Sequence, residues 1–136
     1  MAVPRVLIGI DTNVLLRFLL VDDEVQAHLA TDFFASLTPQ QPGFITHITL
    51  VETYWVLTRR QRASKRECLS VFRKLTESNS LEFEDGEAVI RALYLAEDGA
   101  DFPDALIASS MDFFDVSRTV TFDRKASKTL GWSLLE

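Results

Sequence analysis

A short apolar run, Arg5 to Ile10 (RVLIGI), stops abruptly at Asp11, and the next apolar residues, Val14, Leu15, Phe18 and Leu19, recur at helical spacing. A nearly continuous apolar run of this length suits a strand buried on both faces of a parallel sheet. Such a strand needs helices to cover it, and each parallel neighbour needs a crossover to reach it. The same alternation continues along the chain. It predicts an α/β fold with a doubly wound parallel sheet and helices on both faces.

The elements expected are these. A second helix begins at Asp23, whose spacing to Gln26 gives a capping-box pattern, and the two prolines within Thr38 to Gly43 end it. Phe44 to Thr46 reads as a strand. A helix from about Ile48 to Arg60 buries Val51, Tyr54, Trp55 and Leu57 or Thr58. Ser64 and Glu67 form another capping box, opening a helix that runs to about Thr76. Leu81 to Phe83 is a weak strand, Gly86 to Glu97 a helix, and Asp98-Gly99 its stop. Asp101 to about Phe114 is a helix with Ile107, Ala108 and Met111 inward. Thr119 to Phe122 is a strand, Arg124 to Leu130 a short helix and Trp132 to Leu135 a last strand. In such sheets ligands gather beyond the carboxyl ends of the strands at a topological switch point, and Asp11 and Asp123 fall on that rim.

With 136 residues, 47% hydrophobic and 25% charged, the chain has the balance of one ordinary globular domain over residues 1–136. Ten phenylalanines point to a well-filled core. The apolar run Val14 to Val21 is interrupted by Arg17 and is too short to span a bilayer. A signal peptide would have to carry Asp11 and Asn13 in its hydrophobic region, so cytoplasmic residence is expected. The lone Cys68 has no cysteine partner for a disulfide or a structural zinc site and reads as a small half-buried helix residue.

Fourteen basic against 20 acidic residues leave a net charge of −6, which argues against broad nucleic-acid binding by the whole surface. Any phosphate partner must be held locally. Half of the basic residues, Arg59, Arg60, Arg62, Lys65, Arg66, Arg73 and Lys74, lie within one short stretch. That stretch is either an electropositive edge or a solvated helical face and its turn.

Four acids from separate elements carry the chemical argument. Asp11, Asp104 and Asp123 fall at strand ends or helix starts, where each can serve simply as an N-cap or dipole partner. Asp101 and Asp104 bracket one helix start, yet only one cap is needed there. Glu52 sits among Ile48, Val51, Trp55 and Val56, with no basic residue within a helical turn on its stripe. A buried carboxylate so placed needs a partner from elsewhere in the fold. Two carboxylates about 4 Å apart repel by roughly 4 kcal/mol at an effective dielectric of 20, a penalty that a cation reverses. Oxygen donors without a His or Cys cluster favour Mg²⁺ or Mn²⁺. His28 and His47 read as surface or local hydrogen-bonding residues.

The strings IDTNVLLRFLL (Ile10 to Leu20), LVETYWVL (Leu50 to Leu57), GADFPDALIA (Gly99 to Ala108) and VTFDRKA (Val120 to Ala126) resemble, in order and spacing, the PIN-domain ribonucleases, and among them the VapC-type toxins of bacterial toxin-antitoxin pairs. The resemblance implies an α/β/α sandwich with a small parallel sheet flanked by helices. It implies a catalytic, metal-holding quartet of Asp11, Glu52, Asp104 and Asp123, with Thr12 and Asn13 fixing the turn after the first strand and Thr121 lining the pocket. Asp101 is either a neighbour of the ligands or a cap. Pro103 replaces a residue that is commonly small in the family, in a first helical turn that tolerates proline. The implied activity is Mg²⁺- or Mn²⁺-dependent endoribonuclease chemistry leaving a 5′-phosphate and a 3′-hydroxyl. The implied partners are RNA, a VapB-type antitoxin and a second copy of the chain in a homodimer.

The rival of another class is a noncatalytic PIN-like module that uses the same groove to bind RNA or protein. A phosphotransfer receiver would need an acidic pair closing the first strand, where Ile10 precedes Asp11. A phosphatase of the haloacid type would need an Asp at position 13, which is Asn13.

Overall fold

The computed structural model describes residues 5–20 and 22–136; Val21, the last residue of the apolar run read above, lies outside them. Its elements follow the expected alternation: β1 (Ile8–Gly9), α1 (Thr12–Leu19), α2 (Glu24–Ser36), β2 (Gly43–Ile45) and α3 (His47–Trp55), continued by a π-helical turn (Val56–Arg60). Then come α4 (Lys65–Thr76), β3 (Leu81–Phe83), α5 (Gly86–Glu97), α6 (Phe102–Phe113), β4 (Val120–Thr121), α7 (Arg124–Leu130) and β5 (Ser133–Leu134). The fold is α/β, with a small parallel sheet flanked by helices.

One expectation about the sheet is corrected. β1, β2 and β3 are neighbours in sequence order and all parallel, while β4 and β5 form a separate parallel pair. Among the described residues the strands of each sheet run in sequence order, so the expected switch point does not lie within either sheet. Asp11 follows the edge strand of the larger sheet and Asp123 follows a strand of the smaller one.

The strands are shorter than their apolar runs, although backbone pairing extends further. Val6, Ile8 and Ile10 donate in turn to the carbonyls of Gln40, Pro42 and Phe44. Gly43 in the central strand is sterically required. A Cβ there would run into Ile10 Cδ1 and lie 3.0 Å from both Leu37 Cδ1 and Leu81 Cδ2. The missing side chain lets β2 lie under the packing that joins β1 to β3.

The core is centred on Leu15, Ile45, Leu50, Phe72, Leu93 and Phe102, all fully buried. Phe102 lies against Phe72 and Tyr54 with ring centroids 5.2 and 5.5 Å apart, tying α6 to α4 and α3. Only Phe72 and Phe102 of the ten phenylalanines are fully buried, and Phe113, Phe114 and Phe122 face solvent. Cys68 is fully buried, so the half-buried reading falls, and burial pushes its thiol up to about 12.

Two helical faces differ from expectation by one step around the axis. α3 buries Thr49, Leu50, Thr53 and Tyr54, which leaves Trp55 43% exposed and Ile48 outward. α6 buries Phe102, Ala105, Leu106 and Ser109, so Ile107 turns outward and Ala108 and Met111 stay at the margin. Both helices carry apolar residues over more than one stripe, and packing selects the stripe. Ser64 and Glu67 do form a reciprocal capping box. Asp23 caps Gln26 N, but the Gln26 side chain accepts instead from Arg17 Nε at 2.6 Å, so that box is one-sided.

Candidate active site

Among the described residues five helices begin at an aspartate, and the five are not alike. Asp23, Asp85, Asp101 and Asp123 each accept a hydrogen bond from a backbone N–H of the first turn they cap. Asp11 has the extended backbone of an N-cap (φ −74°, ψ 153°), yet its carboxylate makes no cap bond. The α1 turn is held by main chain instead, Val14 and Leu15 donating to the Asp11 carbonyl. The capping role that could have explained Asp11 is therefore not one it plays, and its side chain projects into a cleft.

Thr12 donates its hydroxyl to Glu52 Oε1 at 2.8 Å, linking α1 to α3. Thr12 thus links Glu52 across the cleft, and one expectation is corrected: Glu52 is exposed rather than buried on an apolar stripe. The rotation of α3 that exposes Trp55 also brings Glu52 to the surface. The cleft measures about 670 Å³, and Asp11, Thr12, Asn13, Glu52, Arg59 and Arg60 are among its lining.

A second acidic group lies at the start of α6. Asp101 Oδ2 accepts from Asp104 N at 3.2 Å, so Asp101 is the cap and the Asp104 carboxylate has no cap to make. Burial pushes the Asp104 carboxyl above its ordinary value, and the charges of Asp101 and then Asp123 push it further, against the opposing pull of Lys125. Asp123 uses one oxygen to cap Ala126 N at 3.0 Å, which leaves the other available. Thr121 Oγ1 accepts from Asp123 N at 3.0 Å and so shapes the turn that presents this acid.

Two lysines edge this group, and neither was singled out in the sequence for it. Lys65, at the start of α4, donates to Ala100 O at 2.7 Å and braces the turn ahead of Asp101. Burial lowers its pKa, as does the neighbouring Lys125, against Asp101. Lys125 stands two residues after Asp123 and was open to notice; Lys65 comes from a distant helix and was not. His47 is remote in role: Ser110 Oγ lies 3.4 Å from its Nδ1, and its Nε2 is buried without a hydrogen-bond partner among the described residues.

The four acids thus stand as two subsets, Asp11 with Glu52 and Asp104 with Asp123. Among the described residues, no three His, Cys, Asp or Glu side chains come close enough together to hold a metal ion. The donor chemistry nonetheless suits a hard divalent cation, because every candidate donor is a carboxylate oxygen and Asp104 is crowded by like charge. Mutual repulsion favours separation of such groups when nothing positive lies between them.

The basic stretch is divided in the same way. Arg59 and Arg60 enter the cleft with Asp11 and Glu52, while Lys65, Arg66 and Arg73 line a groove against α5, where Arg73 is paired with Glu97 at 2.5 Å. Among the described residues no helix is long and apolar enough to cross a membrane.

An α/β domain that sets carboxylates beside arginines along one cleft has the composition of a hydrolase acting on nucleic acid. A family model described as PIN domain matches residues 8–130, and the chain belongs to that family, whose members are in general nucleases. No curated protein matches the chain.

Proposed function

We propose that the protein is a metal-dependent endoribonuclease and the toxin component of a type II toxin-antitoxin pair. The observation that carries the nuclease reading is the Asp11 carboxylate, which occupies a helix N-cap without capping and faces the same cleft as the Thr12-anchored Glu52. Asp11 and Asp104 are the principal ligands proposed for Mg²⁺ or Mn²⁺, with Asp123 adding the oxygen its cap leaves over and Glu52 completing the set. When bound, such an ion supplies Lewis acidity toward a phosphate oxygen and makes water a readier nucleophile. Thr12 fixes the rotamer of Glu52, which is positioned to accept a proton, and Asp101 and Lys65 hold the turn that presents Asp104. The products proposed are a 5′-phosphate and a 3′-hydroxyl.

The toxin reading is supported by the ordered resemblance of four sequence blocks to VapC-type toxins. A VapB-type antitoxin would occupy the cleft, and the protein would act in the cytoplasm as a homodimer.

The test is RNA cleavage by the purified chain in Mg²⁺ or Mn²⁺, compared with Asp11→Asn and Asp104→Asn. Cleavage lost in both folded variants supports the reading; undiminished cleavage by Asp11→Asn ends it. Growth arrest on expression, relieved by either variant, is the corresponding test of the toxin role.

A further inference from the structure

The cleft holds more than its acids need. Arg17 is already engaged, to Asp22 at 2.9 Å and to Gln26 at 2.6 Å, so it adds no free charge. Arg59 and Arg60 have no acidic partner within salt-bridge distance among the described residues. Seven and eight residues beyond Glu52, they lie roughly 10 Å along the helix axis from it at 1.5 Å per residue. Two cations without an ion pair, in a cleft that also carries Asp11, Glu52 and the Arg17-bound Asp22, suit an anion held beside the acids rather than on them.

Trp55 lies between them. Its indole is 43% exposed and lines the cleft, and the Arg59 guanidinium sits over its ring at 5.2 Å from the centroid. A Trp left in water at the margin of a charged cleft contributes little to the core, whereas a flat aromatic surface topped by a guanidinium matches the face of a nucleobase. The local backbone is also unusual. The turn from Val56 to Arg60 is π-helical, with Gln61 N donating to Val56 O, a register that occurs frequently at functional sites. It is closed by Ala63 N donating to Leu57 O and by Arg62 at positive φ. This register sets Arg59 and Arg60 relative to Trp55 differently from a continuous α-helix.

We infer that Trp55, Arg59 and Arg60 form a recognition platform for single-stranded RNA: one unpaired base stacks on the Trp55–Arg59 pair, and Arg60 holds an adjoining phosphate. The inference rests on the reading of this cleft as a ribonuclease site, and it assigns the side chains that would select an unpaired strand there. A paired base keeps its faces within the helical stack and has none to offer Trp55, so duplex RNA is a poor ligand for this cleft.

The test is binding without cleavage. A fluorescently labelled single-stranded RNA of about 12 nucleotides is titrated with the full chain in EDTA, and compared with the same sequence as a duplex. The expected results are tighter binding of the single strand, a weakening on the order of 10- to 100-fold in Trp55→Ala, and retention of most affinity in Trp55→Phe. Arg60→Gln should lower the slope of log affinity against log salt by about 0.7. Wild-type affinity in Trp55→Ala, or equal affinity for the duplex, overturns the platform. Because no divalent ion is present, that failure is separate from the failure of the nuclease reading, which is scored by cleavage in Mg²⁺ with Asp11→Asn as control.

Discussion

Thr12 and Glu52 are joined by a 2.8 Å hydrogen bond that spans 40 residues of sequence and closes one side of the acidic cleft. The bond is exposed, so its worth lies in fixing a rotamer more than in holding the fold. Thr12→Val keeps the shape and removes the donor. On the proposed mechanism kcat/KM for RNA should fall about fivefold, the equivalent of a hydrogen bond of roughly 1 kcal/mol, with the melting temperature nearly unchanged. Thr12→Ser should restore most of the rate, and failure to do so would assign the loss to packing.

Asp11 and Asp101 both stand at helix starts, and their substitutions should separate function from stability. Asp101→Ala removes a cap bond and should cost about 1 kcal/mol, lowering the melting temperature by a few degrees. Asp11→Asn removes no cap bond, so its melting temperature should match the wild type. RNA cleavage should nonetheless fall on the order of 100-fold or more. Melting curves and cleavage rates on the same preparations check both.

Asp104 makes stability depend on pH in a set direction. Its folded pKa is raised, first by burial and then by Asp101 and Asp123, so between the unfolded and folded values the native chain binds more protons. This contribution to stability therefore falls as pH rises from about 4, the unfolded value, through the folded pKa. Asp104→Asn should be more stable than wild type at neutral pH, with the difference vanishing below the unfolded value. On the proposed reading, Mg²⁺ or Mn²⁺ should raise the neutral-pH melting temperature of the wild type and leave that of Asp104→Asn much less changed. Thermal melts across pH, with and without the ion, measure all of this.

Cys68 should be chemically silent in the native state. Its thiol is fully buried and pushed up to about 12, so at pH 8 essentially no thiolate is present or accessible. Labelling by a thiol reagent should proceed at the rate of structural opening and become immediate in denaturant. Rapid native labelling would show that α4 separates from the core far more readily than its packing implies.

Gly43→Ala should test the close fit of the central strand. The added methyl meets Ile10, Leu37 and Leu81, and overpacking of this kind costs roughly 1–3 kcal/mol. Denaturant unfolding should show a lower midpoint at unchanged slope.

Local sequence signals marked the helices and their ends well, because capping and stop residues act over three or four positions. Ser64 with Glu67, Asp98-Gly99 and the start at Arg124 all lie where the sequence put them. The strands β2 to β5 were placed to within one residue, whereas β1 was read three residues early because its apolar run begins ahead of the segment that pairs. Which face of α3 and α6 is buried was not legible. Ile48, Trp55 and Ile107 are as apolar as their buried neighbours, and only the partners Phe72 and Phe102 decide between stripes. The π-helical turn was invisible for a similar reason: its register depends on Arg62 at positive φ and on the bond from Ala63 to Leu57, neither of which leaves a compositional trace. The acids at Asp11 and Asp104 were legible as candidates through the sequence blocks that hold them, not through their places at helix starts, which Asp23 and Asp85 share. Which of Asp101 and Asp104 caps, and that Asp11 does not, required coordinates.

Asp123 follows β4, which among the described residues pairs with β5 alone, two residues against two, outside the three-stranded sheet. A ladder so short can open while the aromatic centre stays closed, and amides around Thr121 and Ser133 should exchange with deuterated solvent well ahead of those in β2. Heating would then take the Asp123 carboxylate away from Asp104 before the cooperative melt. The temperature at which the protein stops working would be set by this C-terminal latch and would fall below the temperature at which it unfolds.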